Sequence, residues 1–281
     1  MKSYNELDFT DDFVFCKVLE NNQDLCKKLL EIILEKKITK IVYVHRQEPI
    51  DLNIAGRGVR LDVYIEDDEN TVYDIEMQTT KFRDLPRRSR YYQGMIDVGL
   101  LKKGSSFKIL NKSYIIFICI EQPFKGENRH KYVFHTYCDE DKRIQLEDGA
   151  TKIFLTPKGS ADDISEDLKV FLDYLICHIP QDDFTSRLER AVSETLDTDI
   201  WRNEYMFLYQ KFEEEKEEAK EEARKEGRAE GRAEGRAEGL AEGAHDGRIK
   251  AIACILRNGT KEDAVNLLNA TEEEIAEAGK I

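Results

Sequence analysis

Two carboxylates and an amide on neighbouring strand-like segments are the residues of this chain best suited to chemistry. Asp62 lies in the alternating run 59–65, and Glu76 and Gln78 lie in the alternating run 71–78. Because side chains along a strand repeat with a period of two, all three project from the polar faces of their strands. A symmetric hairpin places Asp62 opposite Glu76, within about 5 Å, where like charges destabilise a sheet. A divalent cation between them removes that penalty, so the pattern predicts a metal site.

A structural interpretation of the same residues is that both strands carry acidic, solvent-facing sides, as many half-buried sheets do. The flanking elements favour the metal site. An amphipathic helix over 25–34 and a strand over 38–44 precede the pair. A helix over 84–101, with Pro86 in its first turn, and a buried strand over 113–120 follow it. The predicted order is helix, strand, strand, strand, helix, strand.

This order, with Asp on the second strand and Glu-x-Gln on the third, resembles the core of the PD-(D/E)XK nuclease superfamily. More narrowly, it resembles the Rpn family of recombination-promoting nucleases and transposases. The matching segments are 7–15, Arg60-Leu-Asp62, Ile75-Glu-Met-Gln78 and Arg88-Ser-Arg-Tyr-Tyr92. The likeness implies an α/β, restriction-endonuclease-like core, αβββαβ, whose mixed central sheet is flanked by helices. It covers about residues 5 to 240, because the family's charged, glycine-punctuated tail is also present.

The likeness also implies roles for individual residues. Asp62 and Glu76 become carboxylate ligands of Mg²⁺ or Mn²⁺, and the Met77 carbonyl becomes a further ligand. Hard cations of this kind prefer oxygen ligands and retain several waters. Gln78 stands where the superfamily has lysine; its amide donates hydrogen bonds and orients water but carries no charge. Asp62, Glu76 and Gln78 are therefore the implied catalytic set.

Basic residues that follow Gln78 are candidates for the missing positive charge, and the sequence does not choose among them: Lys81, Arg87, Arg88 and Arg90. The stretch 71–112 carries nine Lys or Arg against four Asp or Glu. This local surplus predicts contacts to the phosphate backbone of double-stranded DNA by these four residues and Tyr91. The alternative is a solvated helix face. Of the adjacent Tyr91 and Tyr92, one is expected to stack on bases and the other to pack in the core.

Superfamily members often add an acid from the first helix, and three candidates stay open: Asp12, Glu20 and Glu31. The net charge of −14 over 281 residues argues against nucleic-acid binding over the whole surface. Six cysteines show no zinc-ligand spacing, so several are interpreted as small buried hydrophobes. Because the N-terminus has no apolar signal region and no apolar stretch approaches bilayer length, we expect a cytoplasmic protein that does not enter membranes.

Four regions are predicted: a nuclease core over 1–160, a helical extension over 161–212, a charged Glu-Gly-Arg-Ala repeat over 213–248 and a small helical module over 249–281. Glycines recur every four residues from 227 to 247, and each disfavours helix by about 1 kcal/mol relative to alanine. The repeat is therefore expected to be either a frayed spacer or a helix paired with a second tail in a homodimer. The module, three short helices without a basic face, is expected to bind protein.

Two functions remain open on this basis. The first is a metal-dependent DNA endonuclease that hydrolyses phosphodiester bonds and serves recombination or mobile elements. The second is a catalytically weak or inactive member of the same fold that binds DNA or protein. The intact set of Asp62, Glu76 and Gln78 favours the first, because a member that had lost its activity is expected to carry substitutions at those positions.

Overall fold

The structure is a computed structural model that describes residues 2–50, 59–80, 84–101 and 104–281, with side chains outside 43–50 and 59–61. Two compact units make up the chain, Met1–Phe207 and Leu208–Ile281. The first unit is a mixed α/β fold and the second is helical.

A six-stranded mixed sheet in the order β1-β2-β3-β4-β6-β5 forms the centre of the first unit. The strands β1 to β3 make an antiparallel meander, β3, β4 and β6 are parallel, and β5 returns antiparallel on β6. The predicted mixed sheet is confirmed. The strands are β1 (Ile41–Ile50), β2 (Val59–Asp67), β3 (Val72–Gln78), β4 (Ser113–Cys119), β5 (Lys131–Phe134) and β6 (Ala150–Leu155).

Within the described part of this unit six α-helices begin, and the last of them continues into the second unit: α1 (Asp12–Asn21), α2 (Gln23–Leu34), α3 (Leu85–Leu100), α4 (Glu166–Cys177), α5 (Asp183–Leu196) and α6 (Asp199–Asn258). The helix predicted before the strands is α2, and a separate helix, α1, precedes it. Asn22 lies between the two and caps both, and its backbone angles are outside the helical region. Within the helical extension predicted over 161–212, the chain is interrupted between α5, which ends at Leu196, and α6, which begins at Asp199. The run Asp197-Thr198-Asp199 explains the break, because such side chains compete with helical backbone hydrogen bonds.

Helix α3 covers one face of the sheet and buries the polar side of β3. It begins with Pro86 in its first turn, as predicted. Its buried residues pack in one cluster with side chains of β3 and β4: Leu85, Met95 and Ile96 against Val72, Ile115 and Phe117. Strand β3 is consequently buried along its whole length. The solvent-facing interpretation of the acidic strand faces is therefore wrong for β3, where Asp74 is 0% and Glu76 1% exposed.

The second unit contains the end of α6 together with α7 (Lys261–Leu268) and α8 (Glu272–Ala278). A small apolar core joins them, and its side chains come from all three helices and from the connection between α7 and α8: Ile249, Ile252, Ala253, Ala264, Ala270, Ile275 and Ala278. Thr260 and Thr271 cap α7 and α8 by accepting from backbone amides. The glycine repeat lies within α6 with exposed side chains. Within the described ranges, no helix is long and apolar enough to cross a membrane.

Candidate metal centre

Asp62 and Glu76 lie opposite each other on β2 and β3. The observed register pairs Val63 with Ile75, so the next position outward pairs Asp62 with Glu76. The Asp62 amide donates to Glu76 Oε1 at 3.1 Å, and the Met77 amide donates to Asp62 Oδ2, also at 3.1 Å. The opposed arrangement expected from the alternation is present, and each carboxylate is held by the backbone of the other strand.

Burial makes these carboxylates costly to charge. It raises the pKa of Glu76 well above the ordinary value, and the neighbouring Asp74 adds to the rise. The pKa of Asp62 is also raised, first by burial and then by Glu76. Like charges repel strongly where water is scarce. A divalent cation relieves that repulsion and favours the ionised carboxylates.

Asp74 adds a further carboxyl group on the face of β3 that carries Glu76. It lies two residues before Glu76 and is fully buried, and burial followed by the charge of Asp62 raises its pKa well above normal. Neither of its oxygens has a conventional hydrogen-bond donor among the described residues. The Asp74 carboxyl contacts the Glu76 carboxyl. The two can form a hydrogen bond only when one of them is protonated. Its negative charge is therefore poorly satisfied by the protein.

Helix α1 supplies the acid that the sequence left undecided. Ligand atoms of Asp12, Cys16 and Asp62 all lie within 4.8 Å of one another. Glu31 is engaged elsewhere, because it accepts from the Ile38 amide and pairs with Lys27. Glu20 is not part of this group, so the structure favours Asp12.

The thiol of Cys16 was missed by the sequence analysis, which found no cysteine in a ligand pattern. Its Sγ donates to the Asp62 carbonyl at 3.3 Å and lies 3.6 Å from Asp12 Oδ1. The available signal was its position four residues after Asp12, which places both on one face of α1. Cys16 is fully buried, as expected for several of the cysteines, and burial raises the pKa of its thiol well above normal.

Among the basic candidates that the structure describes, Arg88 reaches the carboxylates. Its Nη1 donates to Gln78 Oε1 at 2.6 Å, and its Nη2 donates to Glu76 Oε2 at 3.2 Å and to the Tyr92 hydroxyl at 2.7 Å. Gln78 Nε2 in turn donates to the Met77 carbonyl at 2.7 Å. The predicted ligand Met77 O thus accepts from an amide in this structure. A guanidinium from α3 stands beside the glutamine that replaces the superfamily lysine.

The other predicted DNA-contacting residues lie on the outer side of α3 or outside the described residues. The Arg87 side chain is 77% exposed and pairs with Asp84 at 3.2 Å. Arg90 and Tyr91 are exposed too, whereas Tyr92 stacks on Phe117 with ring centroids 6.1 Å apart. The expected inward packing of one tyrosine is confirmed for Tyr92, whereas stacking of Tyr91 on bases stays a prediction. Lys81 lies outside the described residues, as do three other basic residues of the predicted surplus, Arg83, Lys102 and Lys103.

The donor set fits a hard divalent cation. The ligand atoms that lie together are carboxylate oxygens of Asp12 and Asp62 and the Cys16 sulfur, and Glu76, opposite Asp62 on the ladder, is not part of that group. Carboxylate oxygens predominate in it and are the ligands that Mg²⁺ and Mn²⁺ prefer. The buried oxygens of Asp74, without a conventional donor among the described residues, show that negative charge here exceeds what nearby protein groups satisfy. A bound cation would correct that imbalance.

Comparison with known protein families shows the family to which this chain is related. The family described as PD-(D/E)XK nuclease family transposase matches residues 9–228. The chain belongs to this family. The resemblance inferred from Asp62, Glu76 and the surrounding elements is confirmed, and the matched span of this PD-(D/E)XK protein contains Asp12, the β2–β3 hairpin and α3. Membership links the chain to nucleases and to mobile elements. None of the curated proteins or solved structures compared with this family member matches it.

Proposed function

We propose that this PD-(D/E)XK family member is a divalent-metal-dependent endonuclease that hydrolyses phosphodiester bonds in double-stranded DNA, in the service of recombination or a mobile element. The observation that carries the proposal is the opposed pair of Asp62 and Glu76. Each carboxylate is fixed by a backbone amide of the facing strand and is costly to ionise without a cation.

Asp62, Glu76 and Asp12 are the residues that would hold the cation, Mg²⁺ or Mn²⁺, with the Met77 carbonyl as a further oxygen ligand. When bound, such a cation supplies Lewis acidity at a phosphoryl oxygen and lowers the pKa of a coordinated water. The carboxylates contribute fixed positions, because the backbone holds their oxygens before any ligand arrives. Preorganised charges of this kind need little rearrangement during the reaction.

Gln78 and Arg88 together would perform the two tasks of the superfamily lysine. The Gln78 amide orients a water by hydrogen bonding, and the Arg88 guanidinium provides the positive charge that an amide lacks. The contact of 2.6 Å between the two side chains keeps the charge beside the position of the lost lysine. A guanidinium also matches two phosphate oxygens in one plane, which suits a substrate phosphodiester.

Arg87, Arg90 and Tyr91 would contact DNA from the exposed side of α3. Contacts from arginine to phosphate position a duplex without reading its sequence, whereas the aromatic ring offers a face for stacking. The proposed enzyme therefore binds duplexes of different sequence with similar affinity. Lys81 stays a candidate for the same surface.

The second candidate is a catalytically weak member that binds DNA or protein. One observation favours it: Arg88 already neutralises Glu76, and Gln78 already occupies the Met77 carbonyl. Both contacts oppose cation binding at those oxygens. In this alternative the chain binds DNA or protein and cleaves DNA slowly or not at all.

Cleavage of supercoiled plasmid separates the two functions. The full chain is expected to nick plasmid with Mg²⁺ or Mn²⁺ and to stop when a chelator is added. Asp62→Asn should abolish nicking, whereas Glu66→Gln, a carboxyl change at the other end of β2, should not. DNA binding without nicking in the presence of every metal ion tested would support the catalytically weak member. Equal nicking by Asp62→Asn would reject the proposed site.

A further inference from the structure

We propose that the Cys16 thiol is a ligand of the candidate metal centre and that Asp12, Cys16 and Asp62 together form a position for a thiophilic divalent cation of the Zn²⁺ class. This inference rests on the proposed function only for the presence of a cation beside Asp62. It gives a role to a buried side chain that the proposed reaction does not use, and it changes which ions the centre prefers.

The first step is the arrangement of the three ligand atoms. One carboxylate oxygen of Asp12, one of Asp62 and the sulfur of Cys16 all lie within 4.8 Å of one another. Asp12 and Cys16 stand about one helical turn apart on α1, which brings both side chains to the same face. Helix α1 packs on β2, where Cys16 Sγ lies 3.3 Å from the backbone carbonyl of Asp62. The fold therefore holds the thiol against the strand that carries a proposed ligand.

The second step is the distance between sulfur and oxygen. Cys16 Sγ lies 3.6 Å from Asp12 Oδ1. A sulfur and a carboxylate oxygen that share one tetrahedral Zn²⁺ are about 3.5 Å apart, because the Zn–S bond is about 2.3 Å and the Zn–O bond about 2.0 Å. The observed distance suits a shared ion. A thiol that serves only as a hydrogen-bond donor is the competing interpretation, and it predicts different results below.

The third step concerns the surroundings of the three ligands. The carboxyls of Asp12 and Asp62 contact each other, and Asp74 interacts electrostatically with Asp62. Asp74 is fully buried, and neither of its oxygens has a conventional hydrogen-bond donor among the described residues. Asp12 is exposed whereas Cys16 is fully buried, so an ion from solvent reaches the thiol past the Asp12 carboxylate. Both features favour a cation at this position.

The fourth step is the chemistry of sulfur. Thiolate ligands favour ions such as Zn²⁺ over Mg²⁺, which prefers oxygen ligands and retains its waters. As the Sγ–metal bond forms, the S–H bond breaks and the proton passes to solvent. Three protein ligands leave the fourth tetrahedral position open for a water. The proposed Mg²⁺ or Mn²⁺ also uses Asp12 and Asp62, so the two classes of ion compete for one centre.

Titration of the metal-free full chain with Cd²⁺ tests the inference. Cd²⁺ stands in for Zn²⁺, because a cadmium–thiolate bond adds a charge-transfer absorption in the ultraviolet that oxygen ligands do not give. Calorimetry on the same samples measures the affinity. The thiols that are not buried are first replaced by serine, so that they do not bind the probe: Cys138, Cys177 and Cys254.

In this background one equivalent of Cd²⁺ should produce the absorption. Cys16→Ser should abolish it and weaken Cd²⁺ binding by about tenfold or more, since even residues that only support a ligand affect metal affinity by about that factor. Its affinity for Mn²⁺ should stay close to that of the background chain. Cys26→Ser is the matched control, because it changes an equally buried thiol on α2 outside the group, and it should keep both the absorption and the affinity.

Two results would overturn the inference: an absorption that persists in Cys16→Ser, or a Cd²⁺ affinity that does not fall. The serine hydroxyl still donates to the Asp62 carbonyl, so a thiol that serves only as a donor predicts an unchanged affinity. If Cys16→Ser does not fold, Cys16→Ala provides the same two measurements without a buried hydroxyl.

Failure of the inference and failure of the proposed function give different results. Mn²⁺ binding that requires Asp62, together with Cd²⁺ binding that is indifferent to Cys16, rejects the thiol ligand alone. Binding of both ions that survives Asp62→Asn, or binding of neither ion by the background chain, rejects the metal centre and the thiol ligand together.

Discussion

The amide of Asp62 donates to the carboxylate of Glu76 at 3.1 Å, and the amide that follows Glu76 donates back to the carboxylate of Asp62 at the same distance. This reciprocal arrangement fixes two mutually repelling carboxylates by the backbones of β2 and β3. Their separation is therefore set by the sheet, and a ligand that neutralises them meets a site that is already formed.

The first prediction concerns stability in the absence of metal. Burial and Asp62 raise the pKa of Asp74, so between the ordinary carboxyl value near 4 and the raised value the folded chain holds more protons than the unfolded chain. The free energy of unfolding should therefore fall as pH rises through this window. Asp74→Asn should reduce that dependence and stabilise the chain at about pH 8 by about 1 to 3 kcal/mol.

Urea denaturation of metal-free protein at about pH 5 and about pH 8 measures this difference. Glu69→Gln, in the exposed β2–β3 turn, is the control and should leave the pH dependence unchanged. An Asp74→Asn variant that is less stable at the higher pH would contradict the view that this carboxyl is a buried, unsatisfied charge.

The second prediction concerns the replaced lysine. Removal of the guanidinium in Arg88→Gln should lower kcat for DNA cleavage by about 10²- to 10³-fold, the usual cost of losing one transition-state donor. Addition of Gln78→Lys to that variant should recover much of the loss, because the ammonium returns the charge to the β3 position. In the native background Gln78→Lys should be harmful, since the new charge adjoins Arg88. A double variant no faster than Arg88→Gln would refute the shared role.

The third prediction concerns the outer side of α3. Replacement of Arg87 and Arg90 by glutamine should weaken binding to all duplex sequences alike and reduce the salt dependence of log K by about one to two units. Titration of duplexes of several sequences at different salt concentrations, with a cation that supports binding, measures both effects. Weakening confined to one sequence would mean that these arginines read bases.

The fourth prediction concerns the glycine repeat in α6. Residues 214 to 248 are exposed and Glu213 is partly exposed, so tertiary packing adds little to the cost of opening this part of the helix. Limited proteolysis should cut first between 224 and 248 and release a fragment near 1–223 that keeps its nuclease activity. Gly231→Ala/Gly235→Ala should slow the cutting, because alanine favours the helix by about 1 kcal/mol relative to glycine. The added methyl groups fit, since a Cβ at either position meets no atom within 4 Å.

Protection of the repeat that increases with protein concentration would instead indicate pairing of two tails. Loss of activity on removal of the tail would show that the tail completes the active assembly. Both results would contradict a spacer role for this part of α6.

The sequence was informative where local periodicity determines the structure. Alternation in β2 and β3 predicted the opposed Asp62 and Glu76, and Pro86 correctly placed the start of α3. It did not reveal that α3 buries the polar face of β3, because the side of the sheet that a helix covers depends on tertiary packing. The choice of Asp12, the contact with Cys16 and the position of Arg88 follow from that packing too, so sequence spacing alone left them open.

Binding of Mn²⁺ to the metal-free full chain, measured by calorimetry, tests the central claim most directly. The native chain should bind the ion, and Asp62→Ala/Glu76→Ala should lose that binding while it remains folded, because removal of facing carboxylates relieves repulsion. Glu66→Gln/Glu69→Gln, which changes two carboxyls of the same hairpin away from the site, should bind as the native chain does. Unchanged Mn²⁺ binding by Asp62→Ala/Glu76→Ala would contradict the assignment of the metal centre to this pair.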